Sequence, residues 1–145
     1  MSKSEGIVLL LASVLLSVVL AGVVHAAGCT PGLETHICIT TDKTTYKAGE
    51  AVIATVEEDV PPNTPNVTAS IELFPMPPPC NYIYLSCATA SGNVTLYPGP
   101  AGVWRGTVAI RLPDELTAGN YDVVVFSTLP AGWTQEVSAG ITVTN

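Results

Sequence analysis

From residue 28 onward, apolar and polar residues alternate with a period of two, and no stretch sustains the 3.6-residue period of a helix. Val52, Ala54 and Val56 point one way, with Ile53, Thr55 and Glu57 opposite. Val67, Ala69, Ile71 and Leu73 alternate with Thr68, Ser70 and Glu72. Trp104, Gly106, Val108, Ile110 and Leu112 share a face against Arg105, Thr107, Ala109 and Arg111. Val137, Ala139, Ile141 and Val143 alternate with Ser138, Gly140, Thr142 and Thr144. Ile37 and Ile39 mark a shorter first strand, and residues 121–126 are largely apolar on both faces, as suits a central or covered strand. A slip of one residue would turn each apolar set to water, so these registers are tightly specified. Turn-forming residues at 47–50, 61–65, 98–100 and 118–120 separate the runs. The pattern predicts an all-β domain of about seven short strands, an antiparallel β-sandwich, with a closed barrel as the alternative. Trp104, Val108, Ile110, Ile71, Val123, Val125 and Ile141 are its expected core.

Ahead of this domain, residues 7–24 form an apolar run relieved only by Ser13, Ser17 and Gly22. The sequence supports three readings of this hydrophobic N-terminal helix. Val24 and Ala26 suit a signal peptidase that cuts after Ala26 or Ala27. The run is also long enough to span hydrocarbon as a retained anchor. Third, Glu5-Gly6-Ile7-Val8 resembles the class III signal of archaeal pilins, cut between Gly6 and Ile7, where the helix stays and packs into a filament. The chain thus divides into a hydrophobic leader at 1–27, an N-terminal segment at 28–40 long enough to be donated as a strand, and the sandwich at 41–145. All three readings place the domain outside the cytoplasm, touching membrane only through the leader.

Lys3 is the one basic residue of the leader and Glu5 the one acidic residue, so four of the five basic and eleven of the twelve acidic residues belong to the domain. Phosphate binding needs a basic patch, so nucleic acid is not an expected partner. The four cysteines, Cys29, Cys38, Cys80 and Cys87, are an even number in an exported chain and read as two disulfides. Three pairings are open, and the local one, Cys29–Cys38 with Cys80–Cys87, brackets turn-like sequence in each case. No pair has C-x-x-C spacing and only His36 remains as an imidazole after the leader, so zinc and other cofactors are not expected. His36 and Cys38 fall on the same side of a strand, yet a disulfide-bonded Cys38 beside a surface histidine is the plainer reading than a catalytic pair. No nucleophile, base and orienting acid stand out together, so enzyme activity is not expected. Glu57-Glu58-Asp59 could offer oxygen ligands to Ca²⁺ but lacks the spacing of a dedicated loop.

Asn66-Val67-Thr68 and Asn93-Val94-Thr95 are N-glycosylation sequons, which would put Asn66 and Asn93 on the surface. Ile53, Ala109, Val124 and Phe126 project opposite to the core set. Either the insertion carrying Tyr82, Ile83, Tyr84 and Leu85 covers them, or Ile53, Val124 and Phe126 contact another subunit.

The stretch Thr41-Asp42-Lys43-Thr44-Thr45-Tyr46-Lys47-Ala48-Gly49-Glu50-Ala51-Val52 resembles the opening of macroglobulin-type and bacterial immunoglobulin-like domains, T-D-K-x-x-Y-x-x-G-E-x-V. Gly102-Val103-Trp104-Arg105-Gly106 resembles their G-x-W-x-G strand, and Ala118-Gly119-Asn120-Tyr121 their A-G-x-Y strand start. The resemblance spans about residues 36–145 and implies an immunoglobulin-like sandwich with no catalysis. Two functions fit. One is a structural subunit of an extracellular filament that binds copies of itself head to tail through its N-terminal region. The other is a secreted or membrane-anchored binding or adhesion module, with Tyr82, Tyr84, Tyr97 and Trp133 as contacts.

Overall fold

The computed structural model describes residues 24–30, 36–77, 87–128 and 134–145. The expected N-terminal helix and the aromatic insertion around Tyr82–Leu85 lie outside the described residues. The strands are β1 (Ala27–Cys29), β2 (Ile37–Thr41), β3 (Thr45–Lys47), β4 (Ala51–Asp59), β5 (Val67–Pro75), β6 (Ala90–Pro98), β7 (Val103–Arg111), β8 (Gly119–Thr128) and β9 (Thr134–Thr144), with a 3₁₀ turn at Pro100–Gly102. Among the described residues no helix is long and apolar enough to cross a membrane.

The nine strands form one curled sheet in the order β1-β2-β4-β7-β6-β5-β8-β9-β3. β6 turns the corner: it pairs with β5 from Val67↔Leu96 to Leu73↔Ala90, and with β7 at Tyr97↔Arg105 and Pro98↔Trp104. Two layers result, one of β1, β2, β4 and β7, the other of β5, β8, β9 and β3, with β6 in both. Among the described residues every pairing is antiparallel except β3 with β9.

The alternating sets meet between the layers. Val52, Ala54 and Val56 face Val67, Ala69, Ile71 and Leu73 in one cluster with Ile110, Val123, Val125, Ala139, Ile141 and Val143. Trp104 and Val108 are only partly buried against that cluster, less than the shared phase with Ile110 implied. Gly106, between them, has its α-carbon hard against β6: a β-carbon there would collide with the Thr95 carbonyl oxygen and lie 2.7 Å from Val94 Cγ2.

The described residues of the 28–40 segment pair within the sheet. β1 pairs with β2 from Ala27↔Thr40 to Cys29↔Cys38, and β2 pairs with β4. Ile37 and Ile39 are fully buried in the chain's own core. Their alternation matches the β4 face beside them, so the strand completes its own sheet.

The Thr41–Val52 stretch proves to be the corner where the chain leaves β2 in one layer for β3 in the other. Tyr46 is 1% exposed. Its hydroxyl donates to Asp42 Oδ1 at 2.7 Å and accepts from the Lys43 N–H at 3.0 Å. Asp42 Oδ1 also accepts the Ile53 N–H at 2.9 Å, tying the corner to β4. Burial, and then the bond to Asp42, push the Tyr46 phenol up to about 12. Gly49 takes φ +80°, a left-handed value that favours glycine, and Glu50 accepts the Lys47 N–H at 2.8 Å to close the turn. A second tyrosine, Tyr121 at the start of β8, donates its hydroxyl to the Thr117 carbonyl at 2.7 Å.

Candidate functional site

Pairing of β1 with β2 sets Cys29 directly opposite Cys38, and the Thr30 N–H to Ile37 carbonyl bond at 3.0 Å holds the strands together beside them. The two cysteines are joined as a disulfide, the local pairing weighed from sequence. Cys87 is disulfide-bonded too, and Cys80 lies outside the described residues. Cys38 alternates with the buried Ile37 and Ile39, so its sulfur is on the outer face, and His36 follows it there. The His36 ring lies against Cys38 Sγ, with Nε2 at 3.5 Å and Nδ1 at 3.6 Å. One ligand atom from each of Cys29, His36 and Cys38 lies within 4.8 Å of the others. The sequence supplied the same-side relation of His36 and Cys38. With the Cys29–Cys38 pairing weighed there too, the three donors were linked in the sequence, and the pairing of β1 with β2 supplies their geometry.

The disulfide opens a row of outward side chains at successive register positions: Cys29, Cys38, Glu57, Arg105 and Tyr97. Glu57 and Arg105 form an ion pair at 3.3 Å, and Tyr97 is 67% exposed. Strand alternation breaks up the carboxylate run considered for Ca²⁺. Glu57 and Asp59 point outward, whereas Glu58 points into the core and is fully buried.

Ser127 on β8 donates to Glu58 Oε2 at 2.7 Å, while Glu58 Oε1 has no hydrogen-bond partner among the described residues. Burial pushes the Glu58 carboxyl up, and the Ser127 bond offsets part of that. Glu72, on the outer side of β5, is likewise pushed up by burial. A carboxyl whose folded pKa is raised contributes fully below its unfolded value, and that contribution is lost as pH rises through the folded value. Stability is therefore expected to fall as pH rises from about 4 into the neutral range. Glu58→Gln should flatten the slope and stabilise the protein at neutral pH. Thermal melts of both proteins across that range check this, and a wild-type melting temperature that climbs toward pH 8 would contradict it.

Asn66 and Asn93 are both exposed, Asn66 just ahead of β5 and Asn93 on the outer side of β6. Ile53, Val124 and Phe126 do not form one face. Ile53 is half-buried on the outer side of β4, in the first layer, while Val124 and Phe126 belong to β8 in the second. Val124 is 1% exposed, with Phe74 fully buried on the same outer side. A cleft of about 530 Å³ at one end of the layers is lined by Pro75, Met76, Thr89, Leu116, Asn120 and Tyr121.

The sequence matches no protein-family model and no curated protein. Among solved structures, the soluble domain of PmoD from Methylocystis sp. (strain Rockwell) superposes with a TM-score of 0.44 at 14% identity, covering 80% of this chain and 96% of that one. That likeness is one of β-rich character and carries no argument about a site.

Proposed function

We propose that the chain is a structural subunit of an extracellular filament, an immunoglobulin-like head carried on its N-terminal apolar segment. What supports the immunoglobulin-like reading is strand order. β2, β4 and β7 in one layer and β5, β8 and β9 in the other follow the A, B, E and C, F, G strands of that fold, with β6 bridging the layers where D would stand and β3 added beside β9. The Tyr121 hydroxyl bonded back to Thr117 corresponds to the tyrosine corner of such domains.

The observation that carries the functional reading is the join between leader and head. Ala26 is 7% exposed and belongs to the core cluster. Its carbonyl accepts the Thr41 N–H at 2.9 Å, and His25 Nδ1 lies 2.9 Å from the Thr41 carbonyl oxygen. Cutting after Ala26 or Ala27 would strip these contacts and leave the Thr41 N–H without its partner. A buried donor left unpaired costs about 1–3 kcal/mol. Retaining residues 24–27 avoids that cost, and it couples residues 7–24 to the head without a linker. Copies of the apolar segment then bundle, with Ser13, Ser17 and Gly22 allowing close helix approach. Assembly through a donated strand has less support, because residues 37–40 pair within their own sheet.

Mass spectrometry of the protein from its native surface tests this. A mature N-terminus at Ile7 or earlier is expected, with filaments in electron micrographs. A start at Ala27 or Gly28, with a monodisperse monomer, would sink the filament reading and leave a secreted binding module.

A further inference from the structure

We infer that the Cys29–Cys38 disulfide masks a binding site for a thiophilic d¹⁰ cation such as Zn²⁺, built from Cys29, Cys38 and His36 and opened by reduction. Thiolate and imidazole are the donors such a cation takes, and tetrahedral Zn²⁺ with three protein ligands keeps a fourth position for solvent. Zn–S bonds of about 2.3 Å and Zn–N bonds of about 2.0 Å put neighbouring sulfur and nitrogen donors roughly 3.5 Å apart. His36 Nε2 already stands 3.5 Å from Cys38 Sγ. The two sulfurs would have to part to roughly 3.8 Å. Side-chain rotation supplies that movement, while the β1–β2 pairing keeps both cysteines opposite one another on the same face.

The surroundings suit a cation that enters from water. Cys29 and His36 are exposed and Cys38 is half-buried. Glu57, the register neighbour of Cys38, is ion-paired with Arg105 at 3.3 Å. In the oxidised chain each sulfur is bonded to the other, and neither can carry the negative charge a metal ligand needs.

The chemistry balances with a low-molecular-weight thiol as reductant. Two thiol molecules give up two electrons and two protons and leave as their own disulfide, while the Cys29–Cys38 bond opens to two thiols. Zn²⁺ then displaces both thiol protons to solvent, and His36 gives a ring-nitrogen lone pair. In the reverse exchange the low-molecular-weight disulfide takes the two electrons and two solvent protons to become two thiols, the Cys29–Cys38 bond re-forms, and the ion is expelled. A plain stapling disulfide would show none of this.

Co²⁺, a spectroscopic stand-in for Zn²⁺, tests the site on the full-length chain in detergent. The phosphine-reduced wild type should bind one equivalent, with sulfur-to-cobalt charge-transfer absorption that Zn²⁺ displaces. The oxidised protein should show no such absorption. The C29S/C38S double variant keeps Cys80 and Cys87, so it reports what those thiols bind by themselves, and it should lose the signal. His36→Ala should weaken binding tenfold or more. Zn²⁺ should also raise the melting temperature of the reduced wild type and not that of the double variant, a readout that survives partial unfolding on reduction. Equal Co²⁺ binding by the reduced wild type and the double variant would overturn the site. So would unchanged affinity in His36→Ala, or no Zn²⁺-dependent rise in melting temperature.

Discussion

Tyr46→Ala is expected to destabilise the domain by about 3–5 kcal/mol, the cost of removing a large buried aromatic. The ring is 1% exposed and joins the core at the point where the chain crosses between layers. Tyr46→Phe keeps the ring and removes only the hydroxyl that Asp42 and the Lys43 N–H share. It should cost about 1–3 kcal/mol, because partly buried polar partners are left unpaired. Urea denaturation of the three proteins separates packing from hydrogen bonding. If phenylalanine costs as much as alanine, the ring's burial is not what holds the corner. The wild type should also lose stability as pH rises through the unfolded phenol value near 10 toward about 12, since the folded state keeps that proton longer. Tyr46→Phe should lack that loss.

Gly106→Val should cost about 3 kcal/mol or more, and Gly106→Ala about 1–3 kcal/mol, as overpacking of a filled site. The reason is close approach, not backbone freedom. The first added carbon meets the Thr95 carbonyl and the Val94 and Leu96 side chains, and the carbonyl cannot swing away as a side-chain tip can. Displacing β6 from β7 would disturb the corner where the sheet passes from one layer to the other. Circular dichroism melts check the cost, and a Gly106→Val protein as stable as wild type would show that β6 yields easily.

Legibility of this fold from sequence followed the alternation. β4, β5, β7 and β9 could be read because one face of each is dry, and dryness forces period two, whereas β8 reads as a continuous apolar run covered on both faces. β6 was missed: Ala90-Ser91-Gly92-Asn93-Val94-Thr95-Leu96-Tyr97-Pro98 has Gly, Asn and Pro, which disfavour strands, and its pairing comes from neighbours on both sides. β1 and β3 have three residues each, too few for a period to register. Glu58 stood in a carboxylate run considered for Ca²⁺, yet alternation turns it inward, where Ser127 donates to its Oε2. Likewise the outward set of Ile53, Val124 and Phe126 split across two layers, because alternation tells inside from outside but not which outside. For Cys29, His36 and Cys38 the local pairing and the same-side relation were legible, while the distances between the donors come from the β1–β2 pairing.

The lone parallel pair, β3 beside β9, has a mechanical consequence. Tension applied between residue 24 and residue 145 would draw β3 toward its start and β9 toward its end, in opposite directions along the strand axes. The bonds between them, such as Thr142 N–H to the Thr44 carbonyl at 2.9 Å, would be loaded in shear together and not unzipped one after another. A head anchored at one terminus and pulled at the other would therefore meet its clamp near both ends of the load path, with the Cys29–Cys38 covalent tie upstream of it.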